Sequence, residues 1–196
     1  MGKGRLEAFS DGVIAVIITI MVLELKAPHG QDAAALVPLA PALLTYVVSF
    51  VFVGIYWNNH HHMLHAAARV DGRVLWANLH LLFWLSLFPF VTSWLDEDVS
   101  AWLPTALYGF VLLMAGLAWL LLQRSLVAVN GRDSALARAV GRDLKGKASA
   151  ALYAAAIGLS LVKTWAAQAI YVVVALMWLV PDRRIERAVG AGHRAE

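Results

Sequence analysis

The sequence predicts an all-α, polytopic membrane protein with six transmembrane helices, both termini cytoplasmic and one six-helix repeat per chain. Three observations carry this. Apolar residues make up 61% of the 196-residue chain, whose mean hydropathy is +0.68. They come in long runs separated by charged clusters, the pattern of a chain that crosses a bilayer repeatedly. Lys and Arg gather in alternate connections: Lys3, Arg5, Arg69, Arg73, Arg124, Arg132, Arg138, Arg142, Lys145, Lys147, Arg183, Arg184, Arg187 and Arg194 fall on one side of the six spans, and Lys26 and Lys163 on the other. The positive-inside rule makes the crowded side cytoplasmic, and the expected location is a bacterial inner membrane.

The elements follow in order. Span one runs from about Leu6 to Leu25; MGKGR leads straight into it without an A-x-A-like cleavage site, so it is expected to be kept. A connection with Pro28, Gly30 and Pro38 as breakers follows. Span two runs from about Ala40 to Trp57 and continues as NNHHHMLHAAARVDGR. Span three, about Val74 to Trp94, contains Pro89, which lacks an N–H, frees the Leu85 carbonyl and kinks the helix. The acidic turn DEDVS leads to span four, about Trp102 to Leu122. Residues 123–147 form a basic cytoplasmic loop, mildly amphipathic, with Ser134 as a helix cap and anionic lipid as its partner. Spans five (about Ala148 to Val162) and six (about Trp165 to Val180) make a hairpin around Lys163 and Thr164. In span five Ala150, Ala154 and Gly158 recur every fourth position, which lets backbones touch, and they are expected to pack inside the subunit. The whole chain, 1–196, reads as one six-helix transmembrane domain with a charged tail at 181–196.

Composition also excludes. There is no cysteine, hence neither a disulfide framework nor a thiolate metal site. No nucleophile–base–acid set or phosphate loop appears, so the chain is not read as an enzyme, and no cofactor is expected. The basic residues belong to membrane loops, which argues against nucleic acid. His61 and His65 stand i, i+4 and could share a metal ion, but no carboxylate lies on the same turn, so the histidines are read as hydrogen-bonding groups at the cytoplasmic interface.

The first span carries the question of function. Twelve uncharged residues separate Asp11 from Glu24, a rise of ~18 Å against a hydrocarbon core of ~30 Å. Asp11 therefore sits near or inside the hydrocarbon boundary, where an ionisable side chain needs a partner or water. Its candidate partners are Asn78 and His80, polar groups in the otherwise apolar third span. Thr19 either bonds back to the Ala15 carbonyl or faces water or an ion. Val16, Thr19, Ile20 and Leu23 form one stripe, although every face of this helix is apolar.

Arg5-x-x-x-Phe9-Ser10-Asp11, followed by GVIAVIITIMVLEL, by Trp57 with its histidines, and by Asn78 and Leu87-Phe88-Pro89-Phe90, resembles the endolysosomal potassium channels of the transmembrane protein 175 family and their bacterial relatives. The resemblance implies a homotetrameric, K+-favouring cation channel whose four first helices line a central pore. It further implies an apolar constriction at Val16, Ile20 and Leu23 with Thr19 as a polar layer, and a bracing network of Arg5, Phe9, Ser10, Asp11, Asn78 and His80. The family's innermost constriction position is usually isoleucine or leucine; here it is Val16. An apolar ring can gate by dewetting. The partners implied are K+, with other monovalent cations or H+ as alternatives, and the alternative functions are a proton-permeable or weakly selective pore and a non-transporting membrane scaffold.

Overall fold

Local signals fix the helix ends. The Asp71 carboxylate accepts from the Val74 N–H at 3.0 Å and starts the third helix. Asp143 does the same for the seventh, accepting from Gly146 N at 3.0 Å. Ser134 caps a six-residue helix, its hydroxyl accepting from Ala137 N at 3.1 Å, as the sequence predicts. Gly131 ends the fifth helix at φ +95°, a conformation that a Cβ disfavours.

The computed structural model describes residues 2–28, 32–131, 133–141 and 143–179, and among these there is no strand. The helices are α1 (Lys3–Leu23), a 3₁₀ turn (Ala33–Leu39) running into α2 (Ala40–Ala66), α3 (Gly72–Ser86), α4 (Phe88–Glu97), α5 (Trp102–Asn130), α6 (Ala135–Val140), α7 (Leu144–Ser160) and α8 (Thr164–Leu179). Arg132, Arg142 and the charged tail 181–196 lie outside the described residues.

Four helical stretches, Lys3–Leu23, Ala33–Ala66, Gly72–Glu97 and Trp102–Asn130, are long and apolar enough to cross a membrane. The helices α7 and α8, with 17 and 16 residues, are shorter. Several boundaries differ from the sequence reading. The second helix runs on to Ala66, because nothing in NNHHHMLHA breaks it. The fifth runs to Asn130, so the first eight residues of the expected loop 123–147 are helix. The third span is two helices, interrupted at Leu87, since Pro89 fits only the first turn of a new helix.

The helix α5 lies at the centre, packed against α3 and α4 on one side and α7 and α8 on the other, and α1 packs on α2, α3 and α4. Its Leu112, Ala115, Leu122 and Leu126 are fully buried. Where α5 meets α8, Tyr171 donates its hydroxyl to the Thr105 carbonyl at 3.0 Å, and Gln168 donates to Val99 O at 2.6 Å. Gly109 makes this possible, because a Cβ there would collide with the Tyr171 hydroxyl. Between α4 and α5, the Ser100 hydroxyl and N–H both bond Asp98 (2.6 and 2.9 Å) and hold its carboxyl below the usual carboxylate range.

The small-residue stripe of α7 does not pack inside the subunit. Ala150 is half-buried and Ala154 and Gly158 are exposed, while the helix buries Ser149, Tyr153, Ala156 and Ser160. Aromatic packing decided the orientation: Tyr153 meets Phe52 and Tyr171, ring centroids 6.4 and 6.3 Å apart.

Gly109→Ala is expected to destabilise the protein by about 1–3 kcal/mol through displacement of Tyr171. Thermal unfolding in detergent checks this, and adding Tyr171→Phe, which removes the colliding oxygen, should restore part of the loss.

Candidate functional site

The first helix has two distinct sides. One buries Leu6, Ser10, Ile14, Ile17 and Met21, spaced to form a stripe along its length. The other leaves large apolar side chains outside the single chain: Val16 is 55% exposed, Ile20 41% and Leu23 80%, and Thr19 is exposed between them. The stripe that the sequence reading singled out therefore belongs to the outward side of α1. The Thr19 hydroxyl donates to the Val16 carbonyl at 2.8 Å, one residue nearer than the expected Ala15. This bond uses its proton and leaves its lone pairs available on the exposed side.

The buried side is held by a chain of polar side chains. The Ser10 hydroxyl donates to the Leu6 carbonyl at 2.8 Å. Asn78 Nδ2 on α3 donates to Ser10 Oγ at 2.9 Å, and Asn78 Oδ1 lies 2.7 Å from His60 Nε2 on α2. With the amide nitrogen committed to serine, the amide oxygen must accept, so His60 carries a proton on Nε2. All three side chains are buried, at 0%, 0% and 2% exposure. One amide thus ties α1, α2 and α3 together where no water competes. Bonds between membrane helices average ~0.6 kcal/mol, but a buried partner left unsatisfied costs about 1–3 kcal/mol.

The ends of α1 have their own contacts. Lys3 Nζ donates to the carbonyls of His65 (3.1 Å) and Ala67 (3.0 Å), where the end of α2 leaves acceptors free. At the other end the Ser93 hydroxyl of α4 donates to Glu24 Oε2 at 3.1 Å. Asp11 finds its partner on α2: Trp57 Nε1 donates to Asp11 Oδ1 at 3.0 Å.

Of the residues that the resemblance groups in one network, Ser10 and Asn78 bond each other. Asp11 does not reach α3; it points from α1 toward α2, and an indole supplies its donor. His80 is exposed and only accepts a long bond, 3.4 Å, from Trp84 Nε1 one turn on, because its side of α3 faces away from α1. Phe9 is 48% exposed and Arg5 is exposed, its guanidinium without a hydrogen-bond or ion-pair partner among the described residues. His60, placed by sequence in an interfacial cluster, is instead the buried end of the chain. Its neighbour His61 stacks between Trp57 and His65, with centroids 6.2 Å from each. Among the described residues no group of three or more His, Asp or Glu is placed to hold a metal ion. The i, i+18 relation of His60 and Asn78 carries no periodic signal, so only tertiary packing reveals it.

Residues 5–89 match the family described as "Endosomal/lysosomal potassium channel TMEM175". The chain is 48% identical over 189 residues to a potassium channel of Chryseobacterium sp. (strain P1-3), covering 96% of this chain and 98% of that one. It is 34% identical over 96 residues to the human endosomal/lysosomal proton channel TMEM175, covering 42% of this chain and 19% of the human protein. It is similar in structure to the crystal structure of a lysosomal potassium-selective channel TMEM175 homolog from Chamaesiphon minutus, with a TM-score of 0.77 and 28% identity over 91% of this chain and 96% of that one.

Asn78→Leu removes both amide bonds and strands the His60 Nε2–H, while Ser10 keeps its bond to Leu6 O. It is expected to lower unfolding stability by about 1–3 kcal/mol, whereas His80→Ala on the exposed side should change it by less than about 0.5 kcal/mol. Denaturant or thermal melts of the two variants in detergent make the comparison.

Proposed function

This chain belongs to the TMEM175 family of ion channels, and on that premise we propose that it is a homotetrameric, K+-favouring cation channel of a bacterial inner membrane. Four copies of α1 surround a central pore, their exposed stripes turned inward. Val16, Ile20 and Leu23 form the apolar constriction and Thr19 a ring of hydroxyl oxygens within it. The observation that carries this reading is the division of α1. A membrane helix whose polar fastening lies on one side, and whose other side presents a stripe of apolar groups with one hydroxyl among them, suits the wall of a pore. The relative named a potassium channel over 98% of its length supplies the ion.

In this reading the whole chain forms one transmembrane domain of six crossings with both termini cytoplasmic. The crossings are α1, α2, α3 with α4, α5, α7 and α8. The apolar rings impose a dewetting barrier, since a cation there has no ligands to replace its hydration shell. The Thr19 oxygens offer replacements at one level, because their protons are already directed back to Val16 O. Flow is passive, down the electrochemical gradient, and needs no cofactor.

A second reading has a specific motive. The human relative is named a proton channel, so the pore conducts H+ as well as K+ or discriminates weakly. Flux into liposomes under separate K+, Na+ and pH gradients distinguishes the two, and absence of flux under every gradient leaves a non-transporting scaffold.

Two substitutions test the pore wall. Thr19→Val keeps the side chain's shape and removes the oxygen; the K+/Na+ permeability ratio should fall, and an unchanged ratio takes Thr19 out of selectivity. Ile20→Asn should raise conductance on the order of tenfold, the effect of removing ~1.4 kcal/mol of barrier. Unaltered conductance in single-channel recordings would place the constriction elsewhere.

A further inference from the structure

Where α3 begins and α5 ends, an open groove of about 560 Å³ separates the two helices, lined by Asp71, Arg73, Arg124, Ser125, Ala128 and Val129. Its two guanidinium groups come from different helices, and among the described residues neither has a hydrogen-bond or ion-pair partner. The single carboxylate, Asp71, caps α3 by accepting from the Val74 N–H through Oδ1, and against the two guanidiniums it leaves the groove with a net positive charge. The Ser125 hydroxyl donates to Leu121 O at 2.9 Å, so its oxygen offers only lone pairs to the groove.

The frame around the groove is fixed. Asn130, at the end of α5, accepts from the N–H groups of Ala68 and Arg69 (2.8 and 2.9 Å) and donates to the Arg69 carbonyl at 3.0 Å. Arg69 Nη2 in turn reaches the Val129 carbonyl at 3.5 Å. The linker before α3 and the last turn of α5 are therefore tied together beside the groove.

Moving along the helices, the seam becomes apolar. Trp76, three residues after Arg73, is 76% exposed, and Phe83 is 55% exposed. On α5, Leu121 and Leu117 precede Arg124 and are 48% and 43% exposed. Trp84 and Phe110 close the far end edge to face, with centroids 5.7 Å apart. From Arg73 to Phe83 the rise is ~15 Å, half of a ~30 Å hydrocarbon core. Both helices belong to stretches long and apolar enough to cross a membrane, which puts lipid within reach of the seam.

We propose that this seam binds an anionic glycerophospholipid, the phosphodiester between Arg73 and Arg124 and an acyl chain along Trp76 and Leu121. Guanidinium groups bind phosphate oxygens through paired, charge-assisted bonds, and a headgroup with net negative charge suits two cations better than one that also carries an ammonium. The site lies on α3 and α5, apart from α1, and its test reads lipid retention, which does not depend on ion flux.

The full-length protein is purified from nanodiscs of mixed phosphatidylglycerol and phosphatidylcholine, and retained lipids are counted by native mass spectrometry. The wild type should retain phosphatidylglycerol preferentially. Arg73→Gln should reduce that retention about fivefold and the Arg73→Gln/Arg124→Gln pair about thirtyfold, while Trp76→Ala should weaken retention of both lipids alike. Arg138→Gln, on α6, is the control. An equal loss there means diffuse attraction to a basic surface and overturns the site. In a thermal-shift arm, stabilisation by millimolar inorganic phosphate without a phosphatidylglycerol preference assigns the groove to a free anion and overturns the lipid. Unchanged retention in the double variant overturns both.

Discussion

One buried amide governs how the first helix sits. Asn78 gives its nitrogen to Ser10 on α1 and its oxygen to His60 on α2, and three helices share a register because that group can be satisfied in only one way. In lipid the hydrophobic effect does not choose which face of an apolar helix meets its neighbour, since the tails are as apolar as the side chains. The hydrophobicity of α1 is nearly uniform around its circumference, so packing of leucine and isoleucine alone would tolerate rotation. Turning α1 by one residue would carry Ser10 out of reach and leave the buried Asn78 amide nitrogen without its acceptor, a cost of about 1–3 kcal/mol. The amide thus determines that Val16, Thr19, Ile20 and Leu23 point away from the subunit.

Similar fastenings recur through the rest of the chain. Ser49 on α2 bonds both Thr92 on α4 (2.7 Å) and Tyr108 on α5 (2.9 Å) in the core. Tyr171 joins α8 to α5, Asn130 joins α5 to the α2–α3 linker, and Trp178 donates to Ser149 at 2.9 Å between α8 and α7. Several helix pairs are thus joined by one or two short polar contacts embedded in apolar packing. Specificity comes from hydrogen bonds that are few and fully paired, and bulk affinity from close contact, which Gly109 illustrates by yielding its side-chain space to a tyrosine hydroxyl.

Most of the helices were legible in the sequence, because hydrophobic runs and breakers such as Pro38 and Pro89 act locally. Helix ends were less so. The His-rich end of α2 and the polar end of α5 look like loops by composition, yet both continue as helix because the neighbouring elements bond to them. At the site, Asn78 stood out in the letters as a polar group in an apolar helix, but was offered to Asp11, and its bond to Ser10 appears only in the fold. The partner of Asp11 was not legible, since an indole such as Trp57 reads as one more apolar residue, and His60 was hidden among five successive polar positions. Orientation was illegible wherever a helix is apolar all round: His80 and the Ala150–Gly158 stripe both turned outward, the first because Asn78, two residues before it, faces α1, the second because Tyr153 claimed the core.

The interruption at Leu87 divides what would be one rod into two bodies. The first body, α3, carries Asn78 and grips α1 near its start; the second, α4, carries Ser93 and touches α1 near its finish through Glu24. A proline joint between them transmits tilt poorly, for the backbone there lacks a continuous ladder of hydrogen bonds. The two extremities of α1 consequently answer to separate levers. The length of α1 that bears the exposed stripe, Val16 to Leu23, therefore lies between two attachments made to separate helical bodies.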